Sequence, residues 1–207
     1  MPRERQGYRW AITAGLSAEG RVRCKRVVRA WRHLRAMQST HEVPAMAGRL
    51  AGGWSEVRAA DHVTRYMRLG GGSDAPVVIL VSSSEMTNIW PELYESLAAG
   101  RRVYIPDLAD DATFSQRLSA FLDGLGLHSA TLVAPGGFCG PALEFALLSP
   151  DRLRDIVLVP AGSAEETGLT GTLNSAQPKR EIPVLLVRRD TLAADAVELV
   201  SAFVARE

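Results

Sequence analysis

Between Val77 and Val187 the sequence alternates short, unbroken apolar runs with longer stretches whose apolar residues recur every three or four positions. The runs are "VVILV" (77–81), the segment around Val103–Ile105, "SATLVA", "RDIVLVPA" and "IPVLLVRR". A strand that is apolar at every position has both faces buried, which is the mark of a parallel sheet covered by helices. The stretches between them, Trp90–Ala98, "DDATFSQRLSAFLDGLG" and "PALEFALLS", have helical spacing. In the second, Phe114, Leu118, Phe121 and Leu122 form one apolar face, Asp111 is placed to cap the start and Gly124 to end the helix. A last amphipathic helix runs through "AADAVELVSAFVA". Strands and helices in this alternation specify an α/β architecture with a doubly wound, mainly parallel sheet of about six strands. Ahead of it, "SEVRA" and "HVTRYMRL", joined around Ala60–Asp61, read as an antiparallel hairpin.

The 207 residues suffice for one domain with a substantial core. No apolar run reaches the roughly 18 residues of a membrane span, so membrane insertion is not expected. Cys24 and Cys139 are too few for a disulfide framework, and a cytoplasmic location is the expectation. The net charge of +1 conceals +8 over residues 1–76 and −7 over residues 77–207. Much of the basic excess lies in "RVRCKRVVRAWRHLR", where Val27, Trp31 and Leu34 share a helical face. A basic tail over residues 1–45, with the domain spanning 46–207, is the simplest division; Met37 and Met46 are alternative starts. A partner-binding helix is the rival reading of the basic segment. No aromatic–basic pattern supports nucleic-acid binding, and no His or Cys pair has the spacing of metal ligands, so neither metal nor cofactor is expected.

The stretch "TLVAPGGFCGPALEF" (131–145) brings a strand to a glycine-rich corner and on into a helix, the setting of a nucleophile elbow. With the preceding hairpin, Trp90, Pro106-Asp107-Leu108, "FLDGLGLHSATLV" and "ALEFALLSPDRLRDIVLVPAG", the chain resembles the α/β-hydrolase fold family from about Trp54 to Arg206. The resemblance implies a sheet of α/β-hydrolase type. Only about two dozen residues separate the strand ending near Val159 from Pro183, so a cap domain is missing. The chain passes from Arg189 almost directly into the last helix, so the C-terminal strand with its histidine loop is expected to be missing as well.

Aligned without gaps, Ala134-Pro135-Gly136-Gly137-Phe138 falls on the family's Gly-x-Ser-x-Gly, and Gly136 takes the place of the nucleophile. Val81-Ser82 falls on the oxyanion-hole His-Gly, and Asp190 on the strand-7 acid. None of His33, His41, His62 and His128 lies late enough to be the catalytic base. Without a base a hydroxyl nucleophile is not activated. In a second register Gly137-Phe138-Cys139 resembles the Gly-Phe-Cys elbow of dienelactone hydrolases, the cysteine branch of this fold. Gly140-Pro141 then departs from that pattern where a glycine is needed for close approach.

Two readings follow. One is a non-hydrolytic pseudo-hydrolase acting as a binding, scaffolding or auxiliary pathway protein. Its crevice is lined by Ser82, Ser83, Gly136, Gly137 and Phe138 and takes a small acyl-type ligand. The other is an enzyme acting on acyl esters, thioesters or lactones, as a hydrolase, lyase or cyclase, with Cys139 or the Ser82–Ser84 loop in the site and Asp190 as its acid. A homodimer or a partner protein is expected at the sheet edge Pro183–Val187, which loss of the last strand would leave open.

Overall fold

A two-residue turn joins β1 (Ser55–Ala59) to β2 (His62–Leu69) as an antiparallel hairpin, with Ala60 at φ 49°. The computed structural model describes residues 53–81, 91–175, 182–187 and 193–206. The basic segment 1–45, Trp90, Ser82 to Ser84 and Asp190 lie outside the described residues.

After the hairpin come β3 (Asp74–Ile79), α1 (Pro91–Ala98), β4 (Arg101–Pro106), α2 (Phe114–Gly124) and β5 (Ala130–Pro135). A single 3₁₀ turn, Gly136–Phe138, leads into α3 (Cys139–Leu148), and β6 (Leu153–Val159), α4 (Ser163–Ser175), β7 (Val184–Leu186) and α5 (Ala193–Val204) complete the chain. The seven strands lie in the order β1-β2-β4-β3-β5-β6-β7. β2 is antiparallel to both β1 and β4, and every pair from β4 through β3, β5 and β6 to β7 is parallel. This is the doubly wound, mainly parallel sheet with an N-terminal hairpin, of α/β-hydrolase type, with seven strands rather than about six.

The strand period of two divides the core. Val78, Leu80, Leu132, Ala134, Ile156, Leu158, Val184 and Leu186 belong to one cluster with residues of α2, α3 and α4. Their chain neighbours Val77, Ile79, Val133, Val157 and Leu185 are also fully buried and face the opposite side. α1 packs on β4 and on α5, while α2 packs on β1, β2 and α3. Each Val, Leu or Ile so buried contributes about 1.5–3 kcal/mol. That two-sided burial is why the sequence shows unbroken apolar runs instead of alternation.

One local expectation is corrected. Asp111 is not the N-cap of α2: it stands two residues ahead of Thr113 and accepts both its N–H (2.8 Å) and its hydroxyl (2.6 Å). The Thr113 hydroxyl and N–H hold the Asp111 carboxyl below its ordinary pKa. Gly124 ends α2, as expected, although the left-handed residue beyond the helix is Gly126, at φ 66°. Gly124 serves packing, because a β-carbon there would lie 2.5 Å from Val57 Cγ2 and 3.1 Å from Ala59 Cβ. β7 is the last strand of the sheet, at the edge opposite the hairpin. Val184, Leu185, Leu186 and Val187 are each 5% exposed or less. The other edge strand is β1, where Ser55, Glu56 and Arg58 are exposed. Among the described residues no helix is long and apolar enough to cross a membrane.

Candidate functional site

β5 is buried along its whole length and ends at Pro135, whose extended backbone (φ −91°, ψ 156°) delivers the chain to the C-terminal end of the sheet. The next residue, Gly136, reverses direction at φ 50°. A side chain in this left-handed region costs about 1–2 kcal/mol, which glycine avoids. The Cys139 N–H donates to the Gly136 carbonyl and closes the turn. The strained tip of the corner, where the α/β-hydrolase pattern carries its nucleophile, is therefore a residue without a side chain. Gly136 itself is buried.

The other corner residues divide between core and surface. Phe138 is buried and its ring lies 6.0 Å from that of Phe114 on α2. Cys139 is already helical (φ −59°, ψ −45°) as the first residue of α3. It has no solvent exposure, and its thiol donates to the Ala134 carbonyl at 3.1 Å. The Gly-Phe-Cys register thus puts its cysteine one turn past the tip and inside the protein. Gly137 faces outward, and a β-carbon there would come within 3.0 Å of Asp110 Oδ2. Asp110 is a neighbour of the corner that sequence reasoning missed. Its only signal was its place three residues after Pro106-Asp107, in the loop following β4.

From Gly137 a groove of about 520 Å³ runs between α3 and α4. Leu143 and Leu169 form its floor, Leu147 one wall, and Glu144 and Glu165 its rim. It is wide because three of its lining residues are glycines. At Gly140 and Gly168 a β-carbon would meet nothing within 4 Å. Glu165 is engaged at the start of α4, where it accepts the Ala161 N–H at 2.7 Å. The volume falls within the range of small-ligand sites, about 300–1,000 Å³.

Of the described histidines, His128 precedes β5, at the opposite end of that strand from Gly136, and His62 opens β2. A six-residue strand is roughly 20 Å long, so His128 is remote from the corner. Among the described residues no group of three or more His, Cys, Asp or Glu is arranged to hold a metal ion.

No protein-family model matches the chain. Over 147 residues it is 29% identical to the dihydrolipoyllysine-residue acetyltransferase component of the acetoin cleaving system of Cupriavidus necator. That match takes in 64% of this chain and 38% of the other protein, so the chain spans well under half the length of the curated relative it matches. Among solved structures it is similar to an alpha/beta hydrolase fold protein from Chitinophaga pinensis (20% identity, TM-score 0.48, covering 63% of this chain and 54% of that one). It is also similar to the carboxylesterase CesB from Bacillus subtilis (24%, TM-score 0.45, 54% and 44%). A third is the meta-cleavage product hydrolase from Pseudomonas fluorescens IP01 (24%, TM-score 0.44, 54% and 46%).

Proposed function

We propose that this protein uses an α/β-hydrolase-type scaffold to bind a small acyl-type ligand without hydrolysing it. The observation that carries the reading is Gly136 at the tip of the corner: the backbone there has the turn a nucleophile elbow needs, and the attacking group is absent. The groove between α3 and α4 opens at the next residue, Gly137, and offers an apolar floor. Its rim carries Glu144 and Glu165, which favours a neutral or cationic acyl compound over a free carboxylate. Similarity to a protein described as an acetyltransferase component supports the acyl character of the ligand.

The chemistry of Cys139 points the same way. A thiolate is the reactive species, and a cysteine sealed in an apolar interior is inert. The buried thiol of Cys139, donating to Ala134, has the setting of a packing residue.

The test is turnover of p-nitrophenyl acetate together with labelling by a fluorophosphonate probe, both expected to be absent. Iodoacetamide applied to the folded Cys24→Ala variant should leave Cys139 unmodified, and urea should expose it. Turnover that disappears in Cys139→Ala would replace this reading with the cysteine enzyme. Turnover that survives it would bring back the Ser82–Ser84 loop.

A further inference from the structure

β1 is an edge strand with exposed, alternating charge: Glu56 and Arg58 lie on one face of the sheet, and Val57, between them, on the other. Charges on an edge ordinarily deter pairing with another strand. Here the deterrent fails against one partner, a second copy of β1. Two identical edge strands related by a two-fold axis pair antiparallel and keep the same face up, so opposed residues must share parity. Centring the axis on Glu56 sets glutamate against glutamate, and centring it on Arg58 sets arginine against arginine. Centring it on Val57 sets Glu56 against Arg58 of the second copy twice, with Val57 against its own mate.

We infer that this protein forms a homodimer by antiparallel pairing of β1 with β1 about Val57, extending the two seven-stranded sheets into one. The row of side chains that results alternates in sign. Within one copy Glu56 stands opposite Arg65 in the hairpin register, and Arg58 opposite Val63. In the dimer the sequence across four strands becomes Arg65, Glu56, Arg58 of the second copy and its Val63. The same pairing brings apolar surface together. Trp54, 46% exposed beneath the Arg65 guanidinium at 5.1 Å, falls opposite Ala60 of the second copy. On the other face Gly124, above Val57, carries no side chain to meet its symmetry mate. A register so defined is selected because the neighbouring in-phase registers place like charges in contact. Five paired residues bury less than the 1,200 Å² or so of a stable standard interface, so the dimer is concentration-dependent.

Sedimentation velocity of the full chain, over a range of concentration at low and high salt, reads the equilibrium. The wild type should show a dimer that weakens as salt rises. Arg58 stands opposite Val63 in the monomer, so Arg58→Glu breaks no cross-strand charge pair there and sets the new carboxylate against Glu56 of the second copy. It should weaken dimerisation roughly tenfold or more. The double reversal Glu56→Arg with Arg58→Glu restores opposite charges across the axis and should recover the dimer. A wild type that stays monomeric at several hundred micromolar would overturn the inference. So would a dimer indifferent to Arg58→Glu, or one that the double reversal fails to rescue.

Discussion

At the scale of the residue, the proposed function rests on Gly136. At φ 50° it makes the sharp strand-to-helix turn of a nucleophile elbow, and it presents only backbone there. Replacing it with alanine keeps the turn and adds a β-carbon in the left-handed region. Gly136→Ala should lose about 1–2 kcal/mol of stability, read as a lower urea midpoint with an unchanged slope. Gly136→Ser should lose a similar amount and gain no esterase turnover, since no described histidine stands near the corner. A serine variant with activity would mean that the rest of a catalytic apparatus is in place. The position of Gly136 is legible in the sequence because the flanking "LV" and "ALEF" fix the corner without a gap. The burial of Cys139 is not legible there: a cysteine at the first position of a helix faces either the crevice or the sheet, and only the rotation of α3 decides. The role of Asp110 escapes for a related reason, since it approaches Gly137 across a loop rather than along the chain.

At the scale of elements, apolar runs locate all five parallel strands because burial on both faces leaves few polar positions in them, such as Thr131 on β5 and Asp155 on β6. Helix ends are less legible. Gly124 reads as a stop signal from its place after an apolar face. The structure gives it a packing role that no local pattern carries, the close approach of α2 to β1. The two roles predict opposite results for Gly124→Ala. In an exposed helix alanine gains about 1 kcal/mol over glycine. Against β1 the new methyl would press to 2.5 Å from Val57 Cγ2, and relieving such overpacking costs about 1–3 kcal/mol. The clash should win, and Gly124→Ala should unfold at lower urea than the wild type. Adding Val57→Ala removes the obstructing methyl, so the double variant should be more stable than the sum of the two single changes. Strict additivity in that cycle would show that the helix and strand do not meet at this point.

For the whole molecule, residues after α5 are tied to β6, one strand in from the edge remote from the hairpin. Asp155 on β6 is buried, accepts the Thr131 hydroxyl at 3.3 Å, and has Arg154 at 3.4 Å and Arg206 at 3.9 Å. Arg154 also donates to the Arg206 carbonyl, and the Arg206 guanidinium stacks 3.6 Å from the Phe203 ring centroid on α5. Two ion pairs would suggest a carboxylate held firmly in its charged form. Burial outweighs them. Desolvation raises the Asp155 pKa above its ordinary 3.8, while Arg154, Arg206 and the Thr131 hydroxyl pull it back only in part. Both arginine side chains are more than a third exposed, so solvent screens their attraction. The sign for stability follows from proton binding. The native state keeps the Asp155 proton to a higher pH than the unfolded chain does, so this residue's contribution is fully present below 3.8 and is lost as pH rises through the elevated native value. Asp155→Asn removes the desolvated charge yet leaves an oxygen for Thr131. Its urea midpoint should exceed the wild type's at pH 7, and the difference should shrink as pH falls to about 3.5, below the ordinary carboxylate pKa. A variant markedly less stable at pH 7 would show that the arginine pairs, not desolvation, govern the site, because removing one partner of a dominant buried pair is strongly destabilising.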